Sequence, residues 1–148
     1  MEKGNIRQDV LERIKKIPIV ETLGFEFLEL DNGICKAKVK YQKKYDGIFE
    51  SFHGGLLMTV ADSISAFAIL TKTGPDTVIT TTDMNIRFLS ACRTDVYAEA
   101  NIIKLGRTLI PVSIELFDAQ NIKVAVAQVT YMILENRQTA TSGQTGNA

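Results

Sequence analysis

Two groups of residues in the 148-residue chain could do chemistry together: His53-Gly54-Gly55 and, nine positions after the histidine, Asp62. Both lie in residues 51–72, which run apolar for more than about four helical turns with Asp62 as the one formal charge before Lys72. A helix start leaves backbone N–H groups without intrahelical partners and carries the positive end of the macrodipole. Glycine at that start has no Cβ to hold a ligand oxygen away. His53-Gly54-Gly55 is therefore a candidate cradle for a carbonyl oxygen or oxyanion, the alternative being a helix start that needs small residues for packing. Asp is a poor residue for a helix interior, and among apolar neighbours its ionisation is expensive. Asp62 reads either as a general base or nucleophile, or as one half of a structural pair with a basic group or a hydroxyl such as Ser63 or Thr59. His53 is the sole histidine, and its place at a loop-to-helix junction points to positioning rather than to base chemistry.

Helix geometry constrains how these groups can cooperate. Eight residues separate Gly54 from Asp62, which on one straight helix is about 12 Å along the axis. That is too far for both to flank one reacting carbonyl. If both act on the same bond, two copies of the helix must lie antiparallel, with Gly54 of one beside Asp62 of the other.

The elements that must position them follow from periodicity. Apolar side chains at Ile6, Val10, Leu11, Ile14 and Ile17 predict an amphipathic helix over 5–17, closed by Pro18. Residues 22–30 and 34–41 read as strands around Asp31-Asn32-Gly33, where Asn-Gly supplies the positive φ angles of a tight hairpin. Cys35, Ala37, Val39 and Tyr41 alternate with Lys36, Lys38 and Lys40, giving one buried and one wet face. Residues 42–52 are a polar loop that delivers the chain to His53, and Gly74-Pro75-Asp76 ends the long helix. Four more strands follow over 77–89, 95–104, 108–118 and 122–134, with breaks short enough for antiparallel neighbours. In the first of these, Val78, Thr80, Thr82, Met84, Ile86 and Phe88 share one face. The last is almost all apolar on both faces, so both should be covered, part of the second by self-association or by the first helix. A greasy helix wrapped by a strongly curved antiparallel sheet is an α+β domain.

Composition bounds the rest. The length suits one domain, over 1–135 with its first helix in 1–18, and residues 136–148, without core residues, read as a disordered tail. The formal net charge is zero and no Lys/Arg block stands out, which argues against a nucleic-acid or membrane-surface partner and for a small molecule or another copy. Cys35 and Cys92 have neither metal-site nor redox-pair spacing, so reduced thiols in a cytoplasmic, unexported protein are expected, with no metal site.

Taken together, His53-Gly54-Gly55, the acid nine positions on, Asp83-Met84-Asn85-Ile86 running into Ser90, and Lys104-Leu105-Gly106-Arg107-Thr108 resemble the hotdog-fold acyl-CoA thioesterases of the PaaI-like and 4-hydroxybenzoyl-CoA thioesterase branch, over roughly residues 23–134. The resemblance implies a hotdog fold, with a long central helix wrapped by the sheet. It implies homodimers with a continuous sheet, commonly paired into homotetramers, and active sites at the dimer interface. Carried across, Gly54 and Gly55 form the carbonyl cradle, with the Gly54 N–H as donor. Asp62 activates water or attacks the carbonyl, His53 orients the thioester, and Ser90 sits near the water or leaving thiol. Lys104, Gly106, Arg107 and Thr108 lie where such enzymes meet CoA. This chain departs from the branch before the histidine: Gly47 stands where Asn or Gln is usual and Glu50 where Gly is usual. Either Asp46 or Glu50 takes over that role, or the thioester is held differently.

The expected activity is hydrolysis of an acyl-CoA to a carboxylic acid and free CoA, without a cofactor. A hotdog protein that binds acyl-CoA without turning it over, as a sensor or carrier, is the alternative. A hotdog dehydratase would need a further acid and histidine pairing, and His53 is the only histidine.

Overall fold

A computed structural model describes residues 1–136, so the tail expected to be disordered lies, from residue 137 onward, outside the described residues. In chain order the elements are α1 (Gln8–Ile14), α2 (Pro18–Leu23), β1 (Phe25–Asp31), β2 (Ile34–Val39), a 3-10 turn (Lys43–Tyr45), α3 (Gly54–Thr73), β3 (Thr77–Phe88), β4 (Val96–Ile102), β5 (Leu109–Phe117) and β6 (Lys123–Asn136). All six strands form one antiparallel sheet in the order β1-β2-β4-β5-β6-β3.

Helix α3 starts at an N-cap histidine and stops at Gly74, whose φ of 102° a side chain would strain. Its hydroxyl residues do not break it, because Thr59, Ser63, Ser65 and Thr73 each donate to the carbonyl four residues back. The helix touches every strand of the sheet, and Val60, Ala61, Ile64, Ala68 and Ile69 are fully buried in the concavity. Each such aliphatic side chain of Val or Ile size contributes about 1.5–3 kcal/mol of burial. By length and hydropathy this helix could cross a membrane, but here it is the core of the domain. The helix wrapped in a curved antiparallel sheet is the hotdog fold that the resemblance implies.

Three local expectations are corrected. Pro18 does not merely close the first helix. It opens α2 as that helix's first residue, and Gly24 at φ 66° ends it, so the first arm of the hairpin starts at Phe25 rather than at residue 22. Helix α1 packs beside α3, with Arg7 donating to the Thr71 carbonyl, and so joins the α3 layer instead of covering the opposite face of the sheet. Third, β3 does not keep one alternation along its length. A bulge at Thr82, between the pairs Thr81↔Tyr131 and Asp83↔Thr130, shifts the phase. Ile79 and Thr81 face α3 before it and Met84 and Ile86 after it, while Thr80 and Thr82 are exposed.

Candidate active site

The loop before α3 is held from several sides. The Tyr45 ring lies 5.6 Å from the Phe52 ring, the His53 N–H donates to the Tyr45 carbonyl at 2.8 Å, and the Phe52 N–H donates to the Cys92 carbonyl at 2.7 Å. This fixes where α3 begins. His53 then caps the helix: its Nδ1 accepts from the Gly55 N–H at 2.9 Å, which puts the proton of a neutral imidazole on Nε2. The His53 carbonyl takes the Leu56 and Leu57 N–H groups at 3.0 and 3.1 Å. Of the first-turn donors, the Gly54 N–H alone has no acceptor among the described residues. What the geometry gives His53 is the N-cap of α3.

Gly54 lines a cavity of about 390 Å³ with Phe52, Leu57, Phe88 and Ser90. The Phe88 ring lies so close that a Cβ on Gly54 would meet it at 3.3 Å, so glycine here keeps backbone and ring in direct contact. Ser90 is thus brought to Gly54, while Asp62 is not among the residues of this cavity.

Asp62 is half-buried on the flank of α3 rather than enclosed in the core. Neither Ser63 nor Thr59 pairs with it, since both hydroxyls turn back to helix carbonyls. Its Oδ1 instead accepts from the Tyr131 hydroxyl at 2.6 Å and the Thr81 hydroxyl at 2.8 Å. Burial first, and then the bond to the Asp62 carboxylate, hold the Tyr131 phenol well above the usual tyrosine range, so it acts as a donor. Neither residue stands out in the sequence. The available signals are a tyrosine in the largely apolar β6 and a Thr80-Thr81-Thr82 triplet whose inward member depends on the bulge.

In the departing loop, Asp46 is engaged, its Oδ1 accepting from the Tyr41 hydroxyl at 2.6 Å. Gly47 donates to the Ser51 carbonyl at 2.8 Å, closing a turn whose tip exposes Ile48, Phe49 and Glu50, the last at φ 54°. Lys104, Arg107 and Thr108 are exposed in the β4–β5 turn, and neither cation has an ion-pair partner among the described residues. Gly106 fits there because a Cβ would collide with the Leu109 carbonyl oxygen. This turn lies where β4 runs past Gly33, which packs against Ile102 and Lys72 at the C-terminal end of α3. Within one chain it is at the opposite end of the helix from Gly54.

A family model for the thioesterase superfamily matches residues 49–125, from the capping loop through the start of β6. Acyl-coenzyme A thioesterase 13 of Mus musculus is 31% identical over 119 residues, covering 76% of this chain and 81% of that protein. Its Homo sapiens counterpart is 35% identical over 86 residues, 56% of this chain and 59% of that protein. Among solved structures, the E. coli PaaI protein from the phenylacetic acid degradation operon superposes with a TM-score of 0.80 at 19% identity, covering 87% of this chain and 93% of that one.

Proposed function

Because the chain belongs to the thioesterase superfamily and is a thioester hydrolase, we propose that its substrate is an acyl-CoA and that each active site is built from two copies of the chain. The Gly54 N–H of one subunit polarises the thioester carbonyl. Asp62 of the partner subunit removes a proton from a water molecule as the water oxygen attacks the carbonyl carbon. The tetrahedral oxyanion rests on the Gly54 N–H and the positive end of α3. When the carbon–sulfur bond breaks, the sulfur leaves with the bond's electron pair and takes the proton that Asp62 gained. The products are a carboxylic acid and the free thiol of CoA.

The observation that carries this reading is the one first-turn N–H of α3 without an acceptor among the described residues, on the same helix as a half-buried carboxylate but about 12 Å from it. Two features favour a second copy as the source of the missing half. Strand β3 is a sheet edge of 12 residues, with the pairing groups of one side free to meet another strand. The incompletely covered face of α3 carries exposed Gly55 and half-buried Thr59, Ser63 and Ala66 beside the exposed Met58, a mostly small-residue surface on which a second helix can pack. Lys104 and Arg107, without ion-pair partners among the described residues, supply positive charge for the CoA phosphates, and Ser90 lines the Gly54 cavity, where the thioester would enter. The paired sheet edge makes a dimer, and a dimer of dimers is the fuller assembly. Buried, unpaired Cys35 and Cys92 suit a reducing, cytoplasmic setting.

The test is thiol release from a panel of aliphatic and aromatic acyl-CoAs by the wild type and Asp62→Asn. General-base catalysis of this kind is worth about 10²–10⁴-fold, and the variant should lose that much in kcat. Equal rates for the two proteins would remove Asp62 from the mechanism.

A further inference from the structure

We infer that Tyr131 is a positioning residue for the Asp62 carboxylate: together with Thr81 it occupies Oδ1 and leaves Oδ2 as the oxygen that takes the proton from water. The inference rests on the reading of Asp62 as base and adds the group that aims it. A carboxylate oxygen presents two lone pairs, and the Oδ1 of Asp62 has two hydroxyl donors, at 2.6 and 2.8 Å. No donor meets Oδ2 among the described residues. Turning the carboxylate over would break both bonds, so the two oxygens are not equivalent. The Tyr131 hydroxyl has one proton to give and lies 2.8 Å from the Asp62 backbone carbonyl as well. The carboxylate is the nearer acceptor and the charged one, so it receives the proton.

The fold fixes both donors with respect to each other. Tyr131 of β6 and Thr81 of β3 are directly opposed in the sheet ladder, and Tyr131 also pairs with Ile110 of β5. Tyr131 is only 5% exposed, so its ring cannot swing away without opening the core. Thr81 faces α3 because the bulge at Thr82 separates it from the phase of Met84 and Ile86. A bulge that re-aims one hydroxyl onto a half-buried carboxylate is an arrangement suited to chemistry as well as to stability.

The test measures kcat and KM for acyl-CoA hydrolysis by the full chain carrying Tyr131→Phe, Thr81→Val, Thr81→Ser, Asp62→Asn, and Tyr131→Phe with Asp62→Asn. Tyr131→Phe keeps the ring and deletes the donor. It should lower kcat roughly ten- to a hundredfold with KM unchanged, as expected when a reacting group is misaimed and substrate binding is left intact. Thr81→Val should lower kcat in the same way, with Thr81→Ser restoring most of the loss, and this pair carries the test if Tyr131→Phe does not fold. In the Asp62→Asn background Tyr131→Phe should lower the rate no further, because the group it positions is gone. A wild-type kcat for Tyr131→Phe alongside a crippled Asp62→Asn overturns the positioning role and leaves the base role standing. The same fold-loss from Tyr131→Phe in both backgrounds overturns it too, as a purely structural effect. Wild-type turnover by Asp62→Asn instead removes the base reading itself, and the positioning role falls with it.

Discussion

Gly54 and Gly55 are chemically identical neighbours, yet the N–H of one is consumed by the His53 cap and the N–H of the other has no acceptor among the described residues. That difference separates a small-residue helix start from a carbonyl cradle, and it can be tested with two substitutions at one position. Gly54 is the first residue of α3, where proline is tolerated, and His53 before it has the extended backbone that a following proline requires, φ −57° and ψ 129°. Gly54→Pro and Gly54→Ala both place carbon atoms against the Phe88 ring, but only proline removes the N–H. Gly54→Pro should therefore lose a further 10²–10³ or so in kcat relative to Gly54→Ala, roughly the worth of one oxyanion donor. Equal kinetics for the two would mean that the glycine serves packing alone. At this scale Gly54 and Asp62 are legible in the sequence because each breaks a local rule: glycines at a helix mouth, an acid within an apolar run. Tyr131 and Thr81 are not. A tyrosine in a strand and one threonine of three break no rule, and their meeting on Asp62 depends on a ladder register that no local pattern records.

The elements are legible wherever a single periodicity runs unbroken. The Asn32-Gly33 hairpin has its positive φ angles, 50° and 78°, and β2 buries Cys35, Ala37 and Val39 as the alternation requires. The pattern fails where a second signal competes with it: Pro18 and Gly24 enclose a helix too short to show periodicity, and the Thr82 bulge changes the phase of β3 midway. The capping loop is the element with the most direct functional consequence. Related thioesterases usually carry Asn or Gln where this chain has Gly47, and the two nearby acids do not replace it, because Asp46 is bound by Tyr41 and Glu50 sits exposed at the turn tip. A Cβ on Gly47 would have its nearest contact at 3.7 Å, with the His53 ring, and the backbone there is outside the left-handed region. Gly47→Asn should therefore fold normally and place an amide donor beside His53, near the proposed carbonyl cradle. Since a well-placed donor of this kind is worth about 10²–10³, even an imperfect one should raise kcat/KM several-fold, measured by thiol release. An unchanged or lower kcat/KM would show that the thioester is held without a donor from this position.

For the whole molecule, one helix carries the two proposed half-sites too far apart to meet within a chain, and the sheet ends in a long strand, β3, that pairs with β6 on one side and is free on the other among the described residues. Antiparallel pairing of two α3 helices, with the β3 edges joined, would bring each Gly54 beside Asp62 of the partner subunit, twice per dimer by symmetry. This arrangement makes a prediction that single variants cannot. Gly54→Pro and Asp62→Asn are each expected to be nearly inactive alone, since every site in either homodimer lacks one half. Co-expressed with different affinity tags and purified as heterodimers, they should recover about half of the wild-type rate: one site combines the intact Gly54 and the intact Asp62, and the other combines both defects. A site contained within one chain predicts no recovery, because neither chain then holds a complete set. Size-exclusion chromatography with light scattering on the same samples confirms that paired chains are what is assayed. A heterodimer as inactive as its two parents would return both halves of the chemistry to a single copy of the chain, where the roughly 12 Å along α3 could no longer be bridged by a neighbouring helix.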